Sequence, residues 1–345
     1  MLDRDRYWDC LDQAIEASSA GRVGEALSWL EEALRANPRG AEAHNGRGEI
    51  FWDNGRYEEA FNEFLRAVEA DPGLHGAQLN RIEILIEEFQ EYEEALDLCD
   101  GMLTGTLDRG IEAEVYYLKA KALFYLDDLE GALFLLRRAS KAHGEVGVYR
   151  GFEGQILFEM GRFSEALRSL ERSRLLEPES AHTLYHTALI LEHLGESGES
   201  ELLFAKAASL APDLYPLAVR IDKADFELAA EDALRVLPVK VRNYLQNCPI
   251  MIEDLPSQEL ITTENVSPQV LGLFQGIPVT EPGATHGMGT APRMDTDRIL
   301  LFKRNLEKVA FDQHSLIEQI QITIKHEIGH YLGLDEDELE RLGLA

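Results

Sequence analysis

Gly55-Arg56-Tyr57-Glu58-Glu59-Ala60-Phe61 is one copy of a pattern that stands twice more in the chain, at Gly21-Arg22-Val23-Gly24-Glu25-Ala26-Leu27 and at Gly161-Arg162-Phe163-Ser164-Glu165-Ala166-Leu167. Each copy keeps the same register to a later proline, Pro72, Pro38 and Pro178 respectively. Weaker copies at Ala95, Ala132 and Ser200 complete a series whose key positions, 26, 60, 95, 132, 166 and 200, are 34, 35, 37, 34 and 34 residues apart. A period of this length marks stacked supersecondary units, each burying its apolar face on its neighbour. The residue types fit two packed helices per unit. A small residue on the first helix, such as Gly48, Ala120, Gly154 or Ala188, faces Ala60 or Ala166 on the second, so the two backbones can approach closely. Phe51, Phe64, Leu136, Leu157 and Phe204 fill the seam, and the proline ends the second helix because it has no N–H to continue the ladder.

This period resembles the tetratricopeptide repeat, a helix-turn-helix unit, and six copies span about residues 5–213. The resemblance implies an all-α solenoid over residues 1–215 whose inner groove takes its side chains from the first helix of each unit. Trp8, Trp52, Tyr117, Phe124, Phe158 and Tyr185 then become candidates for holding a peptide of a protein partner. The alternative for these rings is packing against neighbouring helices. Domains of this kind that clamp a terminal carboxylate need several Lys, Arg and Asn in the groove, and here mainly Lys121, Asn45 and Asn80 answer. His182 and His186 are spaced i, i+4 but have no acidic partner that would complete a metal motif.

The 345 residues exceed the span of one ordinary domain, and the period stops at Pro212 and Pro216, so a second domain is expected over residues 222–345. There the pattern becomes mixed. A helix is predicted over residues 224–236, a second from Pro238 to near Gln246, and three short apolar strands near residues 249–254, 270–274 and 298–302. Residues 280–292, rich in Gly and Pro, read as a long loop. The expectation is a small α+β domain with a short mixed sheet.

Its chemistry is concentrated in His326-Glu327-Ile328-Gly329-His330. Two histidines at i, i+4 on a helix lie on one face and can hold Zn²⁺, while Glu327 is aimed beside the ion and can move protons as a general base. Apolar residues at 317, 320, 324 and 328 continue a helical stripe into the motif, and Gly333 supplies a stop. Ile320, Ile322 and Ile324 also alternate as a strand would, but the run from Leu316 to Leu332 is too long for one.

Residues 225–345 resemble the small bacterial zincin-like metallopeptidases with a minimal gluzincin-like core. The resemblance is carried by Leu237-Pro238, Ile252-Glu253-Asp254, Leu271-Gly272-Leu273-Phe274-Gln275-Gly276, Arg298-Ile299-Leu300-Leu301-Phe302-Lys303, and the metal helix followed by Asp335-Glu336-Asp337-Glu338-Leu339. The loop around His286 and the long repeat region in front depart from it. The resemblance implies a zinc metallopeptidase holding one Zn²⁺ per chain, cleaving a protein or peptide substrate with Glu327 as catalytic base. Only 15 residues follow His330, so the third ligand must come from a short return, and the spacing favours Glu336, with Asp335, Asp337, His286 or a water as alternatives. An edge strand near Leu271-Gly272-Leu273-Phe274 could align an extended substrate. The rival reading is an interaction scaffold whose zinc site is structural or inactive. A third has the repeats covering the cleft and keeping it latent.

Charge narrows the partners. With 33 Lys+Arg against 63 Asp+Glu, the net charge of −30 disfavours nucleic acid and anionic membrane. Residues 1–213 hold 21 Lys+Arg and 42 Asp+Glu, which makes basic polypeptides the better ligands for the repeats. No run approaches the ~18–20 apolar residues of a membrane span, the start has no secretory pattern, and Cys10, Cys99 and Cys248 form no CxxC, so a cytoplasmic location is expected.

Overall fold

The computed structural model describes residues 2–236, 239, 242, 248–276 and 298–333. By compactness the chain forms two units, residues 1–156 and residues 157–345. In chain order the first nine helices are α1 (Leu2–Ser19), α2 (Val23–Ala36), α3 (Ala41–Asp53), α4 (Tyr57–Ala70), α5 (His75–Ile84, prolonged by a π-turn at Leu85–Phe89), α6 (Tyr92–Leu103), α7 (Arg109–Tyr125), α8 (Leu129–His143) and α9 (Gly147–Glu159). Then come α10 (Phe163–Leu176), α11 (Ala181–His193), α12 (Ser197–Leu210), α13 (Lys223–Val236), β1 (Ile250–Glu253), α14 (Gln258–Thr263), β2 (Gly272–Gln275), β3 (Arg298–Phe302), α15 (Lys303–Val309) and α16 (Gln313–Tyr331).

In the first unit, α1 packs on α2, α3 on α4 and α7 on α8. The small residue at each key position is at the crossing: Ala26, Ala60, Ala95 and Ala132 have no exposed surface, and a Cβ on Gly48 would lie 2.6 Å from the Phe64 ring. The prolines act as expected. Helices α2 and α4 each end two residues before one, and the intervening Asn37 and Asp71 are pushed to extended backbone.

The turn between the helices of a unit needs one left-handed residue, supplied by Gly21 (φ 71°) and Gly55 (φ 70°). In the third and fourth units Gln90 (φ 57°) and Asp127 (φ 61°) take that place. The uneven spacings have a matching cause. The extra residue before Gln90 is absorbed by the π-turn at Leu85–Phe89, and the 37-residue step falls where α7 runs 17 residues against 13 in α3.

The second unit continues the pattern with α10, α11 and α12, where Gly161 (φ 69°) and Gly195 (φ 83°) make the turns and Ala166 and Ser200 are fully buried. It then adds a three-stranded sheet of order β1-β3-β2, with β1 parallel and β2 antiparallel to β3. The central strand is buried on both faces. Ile299 and Leu301 join Phe226 of α13 and Leu316, Ile320, Ile324 and Ile328 of α16, while Leu300 and Phe302 pack with Leu260 of α14 and Leu273 of β2. The helix expected from Pro238 and the loop at 280–292 lie outside the described residues.

Ion pairs tie α11 to the sheet-bearing part of this unit. Glu192 of α11, buried, accepts from Lys308 of α15 and, at 3.0 Å, from Arg220. Arg220 also donates to Glu307 at 3.0 Å, and Glu307, fully buried, accepts from Lys303 and from the Ile221 N–H. Burial is the main reason that the Lys308 ammonium sits below its ordinary pKa. A further tie joins the end of α9 to the loop after α14, where Glu159 accepts from Ser267 and Gln269.

Candidate active site

The motif lies on α16, as its spacing predicts. Asp312 caps the helix by accepting from Ser315 N, and Gly333 (φ 77°) ends it in the left-handed turn that only glycine enters readily. The stripe Leu316, Ile320, Ile324 and Ile328 faces the core, so the neighbouring face carries His326, Glu327 and His330. His326 and His330 are both partly exposed, and their Nε2 atoms are 3.0 Å apart with the ring planes at 84°.

That convergence fits a shared metal. Two bonds of ~2.0–2.1 Å at a tetrahedral angle require nitrogens ~3.3 Å apart, a few tenths of an ångström more than seen here. Among the described residues no group of three His, Cys, Asp or Glu side chains gathers around one point. Glu336, its reserves Asp335 and Asp337, and His286 all lie outside the described residues.

Glu327 is buried, and its Oε2 accepts the Phe274 N–H at 2.6 Å. Strand pairing explains why that amide is available. Phe302 N donates to Leu271 O at 2.9 Å, which fixes the phase of the antiparallel ladder: Leu273 and Gln275 face β3, while Gly272 and Phe274 turn their backbone groups away from it. Among the described residues strand β2 is therefore an edge, and Glu327 is seated on that edge. The Phe274 ring in turn meets Tyr331 edge-on at 5.4 Å.

Close approach makes this possible. A Cβ on Gly272 would lie 2.5 Å from Thr323 Cγ2 and 3.2 Å from both Glu327 Cγ and Leu300 O, so β2 and α16 can touch only where a side chain is missing. Sequence reasoning places Gly272 and Phe274 on a substrate-aligning strand but gives no sign of their contact with Glu327. A glycine inside a strand pattern is the available signal of a close backbone approach.

The six aromatic groove candidates are divided between the two units, four in the first and two in the second. In the first unit Trp8 is 45% exposed, whereas Trp52 packs edge-on to Phe64, and Tyr117 and Phe124 pack against Phe152. Burial pushes the Tyr117 hydroxyl up to about 12. In the second unit Tyr185 stacks on Tyr215 at 4.6 Å. Phe158 corrects the expectation of a groove residue. It is fully buried, its ring against Phe163 and His193, because the turn at Gly161 folds α10 over it.

An antiparallel-edged sheet crossed by an H-E-x-x-H helix, behind a run of two-helix repeats, defines a metallopeptidase-like domain joined to an interaction module. Residues 245–344 match the profile of the zincin-like metallopeptidase family, and residues 11–75 and 153–215 match that of the tetratricopeptide repeat. The chain thus carries tetratricopeptide repeats followed by a zincin-like metallopeptidase domain. Solved structures with the repeat fold include PilW, a type IV pilus biogenesis factor (16% identity, TM-score 0.54, 60% of this chain and 94% of that one). Another is pilF of Pseudomonas aeruginosa (14% identity, TM-score 0.53, 62% of this chain and 95% of that one). Anaphase-promoting complex subunit 3 of Schizosaccharomyces pombe is 25% identical over 172 residues, half of this chain, which spans a quarter of that protein's length.

Proposed function

We propose that the protein is a zinc-dependent peptidase with Glu327 as catalytic base, its domains at residues 222–345 for the peptidase and 1–215 for the repeats that recruit a protein partner. The observation that carries this reading is the convergence of His326 and His330 beside a buried carboxylate seated on a strand edge. His326 and His330 would hold one Zn²⁺ per chain, with Glu336 as the proposed third ligand. When bound, the ion supplies Lewis acidity toward a carbonyl and lowers the pKa of a water.

The chain's own residues do the rest. The Phe274 N–H holds the Glu327 carboxylate in one orientation, and because a carboxylate accepts at several lone pairs, that bond is compatible with taking a proton from the attacking water. Glu327 then hands the proton to the departing amine nitrogen. The Gly272 backbone on the outer edge of β2 can pair with an extended substrate and hold it in register.

The test is Glu327→Gln in the full chain, with zinc measured by elemental analysis and cleavage followed on an unfolded protein substrate. The expected outcome is retained zinc with cleavage reduced by about 10²–10⁴-fold. A wild type that holds one zinc and cleaves nothing would overturn the enzymatic reading in favour of a scaffold.

A further inference from the structure

A cavity of about 430 Å³ lies in the first unit against α1 and α3. Its floor is apolar, formed by the buried Leu11, Ala14, Leu30 and Ile50. Two large apolar side chains stand exposed at it, Trp8 at 45% and Ile15 at 64%. Rings and aliphatic chains left in water at one place are the usual anchor points of an interface.

The polar lining is of one sign. Asp12, Glu42, Glu49 and Asp53 all border the cavity, and none of its lining residues is Lys, Arg or His. Glu42 accepts from the Tyr7 hydroxyl and Glu49 from Asn45 Nδ2, but among the described residues no ion pair of the unit reaches any of the four carboxylates. Other carboxylates of the unit are neutralised within the fold: Glu83 and Glu87 both meet Lys121, and Glu63 meets His44 and Arg66.

We propose that this cavity receives a basic segment of a partner protein, with one large apolar side chain against Trp8 and Ile15 and flanking Lys or Arg on Asp12, Glu49 and Asp53. This deepens, and rests on, the reading that the repeats recruit a protein. Charge complementarity selects the occupant: four carboxylates without a cation repel an acidic peptide and attract a basic one. The planar indole of Trp8 also accepts a cation on its face.

The experiment uses the full chain and fluorescence anisotropy of a labelled nonapeptide with a central Leu between two pairs of Lys. Controls are the same peptide with Glu for Lys, the Lys peptide with Ser for Leu, and a mixed-sequence peptide pool. The Lys peptide should bind, weaken with added salt, and lose about tenfold or more in affinity in the Asp12→Asn/Glu49→Gln variant and in Trp8→Ala. Asp97→Asn, an exposed acid on α6, should change nothing. Both double-variant sites are exposed, so that protein folds even if Trp8→Ala does not, which a circular dichroism melt checks. No binding of the Lys peptide, equal binding of the Glu peptide, or unchanged affinity in the double variant overturns the proposal. If the pool binds and only Trp52→Ala abolishes it, the recruiting role stands and this cavity is not its site; if nothing binds, both fall. A wild-type dimer that Trp8→Ala dissolves, seen by size-exclusion chromatography, would assign the cavity to a second copy of the chain and also overturn it.

Discussion

Replacing Gly272 by Ala tests the contact on which the site's geometry depends. The added Cβ would meet Thr323 Cγ2 at 2.5 Å, about 1 Å inside an ordinary contact, and Glu327 Cγ and Leu300 O at 3.2 Å. Leu300 O belongs to the central strand and cannot yield, so α16 must move away from β2 or the strand must bend. Overpacking of this kind costs about 1–3 kcal/mol. In a unit of this size each kcal/mol lowers Tm by roughly 2–4 °C, which puts the expected loss at about 2–12 °C. The same movement draws the Phe274 N–H off Glu327 Oε2, now 2.6 Å away, and a 1 Å misplacement of a catalytic group costs about 10²-fold in rate. Differential scanning fluorimetry and the cleavage assay read the two effects. Thr323→Ser removes only the methyl that blocks the new Cβ, so adding it to Gly272→Ala should recover at least half of the lost Tm. An Ala variant melting within about 1 °C of wild type, or a double variant with no recovery, would refute the close-approach argument.

His326→Ala and His330→Ala should each abolish zinc binding, and Glu336→Ala should weaken it well beyond Asp335→Ala or Asp337→Ala; chelator competition giving equal affinities for the three acidic variants would remove Glu336 as ligand. Acid should destabilise the second unit through two histidines: burial, then His182, pushes His186 down to about 3, and burial, then the Lys308 charge, pushes His193 down to about 4. Since both folded-state values lie below the ~6.5 of the unfolded chain, stability is fully present above pH ~6.5 and falls by up to about 1.4 kcal/mol per pH unit per histidine toward pH 4. A urea midpoint that stays flat from pH 7.5 to pH 5 contradicts this. Glu192→Leu strands the buried Lys308 and should cost about 3 kcal/mol, more than Lys308→Met, which leaves Glu192 on Arg220; urea unfolding giving the reverse order would contradict this account of the cluster.

Much of this architecture can be read along the chain because its signals are local. A helix pair repeats the same few demands every turn, a small residue at the crossing and a left-handed residue between helices, and both leave marks at fixed spacing. The third and fourth units look irregular because Gln90 and Asp127 take a conformation that composition assigns to glycine, and because a π-turn and a longer α7 absorb the extra residues. The H-E-x-x-H helix is equally legible, since i, i+4 spacing alone brings the imidazoles together. Contacts distant in sequence leave no such mark. The Phe274 amide reaches Glu327 across 53 residues and Lys308 reaches Glu192 across 116, and no periodicity encodes either. Phe158 is buried for a related reason: the face of its helix is covered when the next turn folds over it.

The charge cluster centred on Arg220 also sets where this protein can be cut and rejoined. A graft junction placed between Leu210 and Lys223 would part Glu192 from Lys308 and leave Arg220 holding only one of its two buried carboxylates. A chimera that moves the metal helix to another carrier therefore has to take α11 along as its base, or replace Glu192, Arg220, Glu307 and Lys308 together with apolar residues of similar volume. Repeats next to that junction are therefore not interchangeable with the others.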